Sequence, residues 1–227
     1  MNQPERRSPI IIFDFGGVLI DWNPRYLYRK LFENDAAAME RFLSEIGFVE
    51  WNLEQDRGRP FAVAVKELTA RFPHYADLIR AYDERWEESI GGVIEPTVKL
   101  LGALKQAGFT LYGLSNWSAE TFWRIRHKHP FWDWFEVIVL SGEVQLIKPD
   151  PRIYAVLLEK IGRPASECLF IDDSETNIAV AEQLGFKTVW FKSPEQLERE
   201  LNRLGLFEPD ARTAGMNRPE PTQGAAS

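Results

Sequence analysis

Residues 10 to 17, IIIFDFGG, run four strand-forming apolar residues straight into a carboxylate and then release the chain through two glycines. Ile10, Ile11, Ile12 and Phe13 show no polar alternation, which is the pattern of a strand covered on both faces. An ionised Asp14 is costly there unless partners or chemistry retain it. Gly16 and Gly17 permit a sharp departure from the strand. The chain is thereby pushed toward a buried parallel sheet whose carboxyl end presents Asp14 to a site.

Three further apolar runs behave alike: FTLYGLSN at 109–116, FEVIVLSGE at 135–143 and CLFIDDSETN at 168–177. Each ends in small or polar residues, as strands do whose carboxyl ends surround a site. KTVWF at 187–191 is a fifth strand candidate. Between them, PTVKLLGALKQAG, DPRIYAVLLEKIG and ETNIAVAEQLG carry helical spacing and stop at Gly108, Gly162 and Gly185. Strand and helix in alternation with short links predict an α/β fold, a doubly wound parallel sheet with right-handed crossovers. Residues 8–21 and 95–207 are assigned to this core.

Residues 22–94 break the rhythm. NPRYLYRKLF, DAAAMERFLSEIGF, PFAVAVKELTARF and YADLIRAYDERWEES read as four successive helices with no strand between them. The expectation is an inserted helical cap, hinged near Trp22 to Pro24 and Gly91 to Pro96. A chain of 227 residues is long enough for one such core plus insertion. From 208 to 227 the sequence is polar, Pro-containing and poor in large apolar residues, so a disordered tail is expected.

Charge and cysteine content narrow the function classes. A formal charge of -7 and a pI near 5.2 give no support to a sequence-independent grip on nucleic acid. Cys168, alone in the sequence, cannot form an intramolecular disulfide and reads as a small strand residue. No stretch approaches the roughly 20 apolar residues of a membrane span, and no apolar signal core follows the basic start. A cytoplasmic protein without membrane or nucleic-acid partners, monomeric or homodimeric, is the default expectation.

Read together, the strand ends bring Asp14, then Ser115 and Asn116 of LSN, then Lys148 of IKPDPRIY, then Asp172 and Asp173 of IDDSETN to one edge of the sheet. A nucleophilic or metal-binding carboxylate, a hydroxyl, an ammonium and an acidic pair would converge there. Taken singly, each has an ordinary reading: Asp14, Ser115, Asn116 and Lys148 as cap or turn residues, Asp172 or Asp173 as the cap of a helix near Thr176. All four motifs in order, in strand and helix context, are specific.

The arrangement resembles the haloacid dehalogenase superfamily over roughly residues 10 to 195, including that superfamily's first type of helical cap. FDFGGVLID and LSNWSAETFW look most like a subgroup of sugar-phosphate phosphatases of the glucose-1-phosphate type. The resemblance implies a Rossmann-like core and an Mg²⁺-dependent phosphohydrolase acting on a small-molecule phosphate monoester. Asp14 would attack phosphorus to form an aspartyl phosphate; with an ordinary carboxyl value of about 3.9 it is expected to be ionised at neutral pH. Ser115 and the Asn116 backbone would bind phosphoryl oxygens, and Lys148 would neutralise charge between nucleophile and phosphate. Asp14, Asp172, Asp173 and the peptide oxygen of Gly16 or Phe15 would hold the metal, with Asn177 orienting the acidic loop.

One position departs from the family pattern. Most phosphatases of this kind carry a second aspartate two residues after the nucleophile, where it protonates the leaving oxygen; here that residue is Gly16. The resembling subgroup also has glycine there, and Asp21 is a candidate substitute. The departure keeps two alternatives in view: a metal-free 2-haloacid dehalogenase, whose halide leaves without a proton, and a non-catalytic phosphate-binding module. The acidic pair argues against the first, because two carboxylates beside Asp14 and an anionic substrate require a cation.

Other conspicuous residues receive plainer readings. His127 and His129 in RHKHP are expected in a basic surface turn, and His74 in a loop of the insertion. Phe122, Trp123, Phe131, Trp132, Trp134 and Phe135 are expected to pack in the core. Trp117 is expected in the core or at a pocket rim, and Trp51 and Trp86 are candidates for a dimer interface.

Overall fold

The computed structural model describes residues 9–207; the tail from 208, expected to be disordered, lies outside the described residues. In chain order the elements are β1 (Ile10–Phe13), β2 (Ile20–Trp22), α1 (Pro24–Leu31), α2 (Ala36–Glu45), α3 (Phe48–Asp56), α4 (Phe61–Arg71), α5 (Ala76–Glu84) and β3 (Ile90–Val93). They continue with α6 (Glu95–Gln106), β4 (Leu111–Ser115), α7 (Ala119–Ile125), β5 (Phe135–Leu140), α8 (Ser141–Val144) and α9 (Pro151–Ile161). The chain closes on β6 (Cys168–Asp172), α10 (Glu175–Gln183), β7 (Lys187–Trp190) and α11 (Pro194–Arg203).

Five strands form one parallel sheet in the order β5-β4-β1-β6-β7. The uniform hydrophobicity of β1 has a direct cause: alternate side chains enter different cores. Ile11 and Phe13 pack on one face with Leu104, Leu169 and Leu197, and Ile10 and Ile12 on the other with Tyr154, Leu157 and Phe170. The chain leaves β1 for β4 on one side and reaches β6 on the other, so the crevice at the carboxyl end of β1 lies where the strand order reverses. Gly113 inside β4 is explained by close approach: a Cβ there would lie 2.2 Å from Phe15 Cζ.

Between β2 and β3 the chain forms five α-helices, one more than the sequence periodicity indicates. The additional helix is α3, which buries Phe48, Trp51, Asn52 and Gln55 and so lacks a clean apolar stripe. Short strands not foreseen in the sequence lie at the two ends of the insertion, where β2 and β3 pair as an antiparallel ribbon, Ile20 with Val93 and Asp21 with Gly92. Trp51 and Trp86 are buried, which removes them as interface candidates. Trp51 belongs to an aromatic cluster with Phe48, Phe61 and Tyr82, whereas Trp86 packs against Trp117. Of the aromatic group expected in the core, Trp123 is 59% exposed. Among the described residues no helix is long and apolar enough to cross a membrane.

Candidate active site

Asp14 follows the last residue of β1, and its backbone N–H still donates to Ile171 O of the neighbouring strand. Its Oδ1 accepts from the Phe15 N–H at 2.7 Å and lies 2.9 Å from Lys148 Nζ. Lys148 is 2% exposed, and its ammonium also donates to Asp172 Oδ2 at 2.6 Å and to Leu114 O at 3.0 Å. A residue distant in sequence from both carboxylates thus joins the ends of β1, β4 and β6.

The loop carrying Lys148 is fixed from β4's exit. Asn116 Oδ1 accepts from the Lys148 N–H at 2.7 Å, and Asn116 Nδ2 donates to Lys148 O at 2.9 Å. Sequence reasoning assigned Asn116 a substrate contact through its backbone; its side chain has this second task of holding the lysine. Ser115, the last residue of β4, is buried beside it.

Asp172 is fully buried and heavily bonded, with Ser174 N–H and Asn177 Nδ2 donating to it as well as Lys148. Asn177 therefore grips the acidic loop directly. The cap of α10 is Ser174, whose Oγ accepts from the Asn177 N–H, so neither aspartate is used for capping. Asp173 is the exposed member of the pair, and its carboxylate lies over Gly17, where a Cβ would come within 2.2 Å of Asp173 Oδ2. Gly17 has φ +72°, a backbone conformation that favours glycine.

The electrostatics differ from those of a free carboxylate. Burial pushes the Asp14 pKa up, Lys148 pulls it down, and Asp172 and Asp173 push it up again; the net shift is upward. Lys148 is also shifted upward, its burial being outweighed by the two carboxylates. One carboxylate oxygen from each of Asp14, Asp172 and Asp173 lies within 4.8 Å of the others. Three carboxylates against one ammonium form a set short of positive charge and built of hard oxygen donors, which fits Mg²⁺. Of the two peptide oxygens considered as further ligands, that of Phe15 accepts from the N–H groups of Val18, Leu19 and Ile20, which favours Gly16.

A cavity of about 70 Å³ adjoins this edge, with Gly16, Asn116 and Trp117 on the sheet side and Trp22, Asn52 and Asp56 facing them. Asp21, the candidate proton donor, is not on it; its Oδ2 accepts from Tyr26 Oη at 2.8 Å within the ribbon. Asp56 was missed by sequence reasoning, and nothing in its local sequence marks it. Trp117 is both core and wall, buried against Phe15, Phe122 and Trp132 while lining the cavity. Cys168 is buried in β6, and burial raises its thiol to about 11, which leaves it unreactive. His127 is exposed in a short turn with Lys128.

A family profile described as haloacid dehalogenase-like hydrolase matches residues 9–185. The chain belongs to that family. Among haloacid dehalogenase-like relatives, a sesquiterpene phosphatase of Aspergillus oryzae is 28% identical over 179 residues, covering 77% of this chain and 85% of the relative. A glyceraldehyde 3-phosphate phosphatase of Pyrococcus abyssi is 28% identical over 147 residues, covering 56% of this chain and 61% of the relative. An enzyme of the family from Bacteroides thetaiotaomicron, crystallised with magnesium and inorganic phosphate, superposes with a TM-score of 0.61 at 26% identity, covering 82% of this chain and 95% of the other. The chain is accordingly a hydrolase of the haloacid dehalogenase-like family on a Rossmann-like core.

Proposed function

We propose that the protein is an Mg²⁺-dependent phosphohydrolase that cleaves a small phosphate monoester, of the sugar-phosphate class, through an aspartyl phosphate on Asp14. The carrying observation is the single ammonium of Lys148, 2.9 Å from Asp14 and 2.6 Å from Asp172, with Asp173 completing the acidic set. An anionic substrate would be repelled by three carboxylates and one lysine; a divalent cation reverses that balance. A dehalogenase needs no such set.

In this reading an Asp14 oxygen attacks phosphorus, and the bond to the leaving oxygen breaks. Water then attacks the phosphorus of the aspartyl phosphate, which restores the Asp14 carboxylate and releases phosphate. The Ser115 hydroxyl and the Asn116 N–H bind phosphoryl oxygens, and Lys148 holds the nucleophile in place while offsetting its charge. Bound Mg²⁺, held by Asp14, Asp172, Asp173 and the Gly16 peptide oxygen, would supply positive charge where phosphoryl charge develops. Residues 22–94 act as a cap that excludes water and selects the leaving group.

The test measures phosphate release from a panel of monoesters with Mg²⁺ or a chelator, beside halide release from short 2-haloacids. Mg²⁺-dependent phosphate release, lost in Asp14→Asn, is expected. Halide release indifferent to chelator would contradict the reading.

A further inference from the structure

The reaction above leaves one proton unaccounted for, because an alcohol departing from phosphorus needs one. Where most of the family carries an acid, Gly16 offers no side chain. Nothing steric enforces this: a Cβ built at Gly16 meets no atom within 4 Å, and its φ lies outside the left-handed region. The space belongs to the cavity that Asp56 enters from the end of α3.

Asp56 is held in a defined pose. Its Oδ1 accepts from the Ser118 N–H at 3.1 Å and its Oδ2 from Asn52 Nδ2 at 3.0 Å, while Tyr82 Oη in turn donates to Asn52 Oδ1 at 2.9 Å. Its own peptide oxygen accepts from Ser141 Oγ at 2.5 Å. Among the described residues no cation offsets the carboxyl: burial raises it, the Ser118 N–H lowers it, and it stands at about 7. With Trp22 and Asn52 it also borders a larger cleft on the insertion, so the residue keeps some surface through which protons can exchange with solvent.

Resting on the phosphohydrolase reading, we propose that Asp56 is the acid and base of this active site, supplied by the insertion in the space left open at Gly16. As the Asp14–phosphorus bond forms and the bond to the leaving oxygen breaks, the Asp56 O–H proton passes to that oxygen and the alcohol leaves neutral. In the second half the Asp56 carboxylate takes a proton from the water that attacks phosphorus. Phosphate departs from Asp14, and Asp56 is protonated again.

The same hydrogen bonds would make Asp56 a latch between insertion and core, and the two roles separate kinetically. The full chain with Mg²⁺ is mixed rapidly with p-nitrophenyl phosphate, whose phenolate leaves without a proton, and with a simple alkyl phosphate, whose alkoxide needs one. Asp56→Asn should keep the nitrophenolate burst but lose about 10²- to 10⁴-fold in turnover, and should show no burst of alcohol from the alkyl ester. Adding Gly16→Asp to Asp56→Asn should restore turnover. Equal loss of burst and turnover on both esters, unchanged kinetics, or a folded double variant no faster than Asp56→Asn overturns the assignment while the phosphohydrolase reading stands. A wild-type protein that releases no phosphate from either ester in an Mg²⁺-dependent manner defeats that reading itself.

Discussion

Lys148 Nζ lies 2.6 Å from Asp172 Oδ2, and neither side chain is exposed to solvent. Deleting one partner of such a pair leaves an uncompensated buried charge, which costs about 3–5 kcal/mol. Here two carboxylates lose their partner together, since Asp14 is on the same ammonium. Lys148→Met is therefore expected to lower the unfolding free energy measured by urea titration by an amount in that range. Part of the loss should return on adding Mg²⁺, because a cation that binds only the folded state stabilises it.

Asp172 and Asp173 differ in burial, and their variants should differ accordingly. Asp173 is exposed, so Asp173→Asn should stay within about 0.5 kcal/mol of wild-type stability while weakening the Mg²⁺-induced rise in Tm. Asp172→Asn should lose both stability and the Mg²⁺ response. Because burial raises Asp14, metal binding displaces a proton there, and Mg²⁺ affinity measured by calorimetry should increase with pH.

The pH dependence of stability isolates Asp56. Its carboxyl goes from an ordinary 3.8 to about 7 on folding. Below about 4 it is neutral in both states; between there and about 7 the unfolded chain has released its proton and the folded protein has not. The folded state binds more protons across that window, so this residue's contribution falls as pH rises and levels off above it. The stability of Asp56→Asn relative to wild type should therefore climb by about 2–4 kcal/mol from the bottom to the top of the window. Parallel urea titrations measure it, with the trend rather than the offset as the readout, since Asn presents a different hydrogen-bond pattern to Asn52.

Gly113 carries the packing of the loop after the nucleophile. An alanine Cβ would meet Phe15 Cζ at 2.2 Å and Cε1 at 2.7 Å, inside an aromatic group that includes Trp132 and Phe135. Overpacking of this kind costs about 1–3 kcal/mol. Gly113→Ala should lower Tm and, by shifting Phe15 beside Asp14, reduce turnover; the two are read by thermal unfolding and steady-state kinetics.

The sheet was legible because β1, β4 and β6 are buried on both faces and so appear as unbroken apolar runs ending in polar residues. Asp14, Ser115, Lys148 and Asp172 stood out for the same reason, each being polar where a strand or its following loop opens on the crevice. The ribbon escaped notice because β3 is Ile90-Gly91-Gly92-Val93, a sequence with little strand preference of its own; Gly91 is demanded by Asp21 and Tyr26, whose atoms would lie 2.4 and 2.7 Å from a Cβ. Helix α3 escaped because it buries Asn52 and Gln55 alongside aromatics. Asp56 acquires its environment from Ser118, 62 residues away, and no local pattern encodes that meeting.

The central claim is that Asp14 carries the phosphoryl group during turnover. Acid quenching of the Mg²⁺-loaded enzyme in its first turnover with a radiolabelled monoester, followed by peptide mapping, addresses it directly. The account predicts label on the peptide containing Asp14, absent in Asp14→Asn and in the presence of chelator. Rapid Mg²⁺-dependent phosphate release with no label on the protein at any quench time would contradict it.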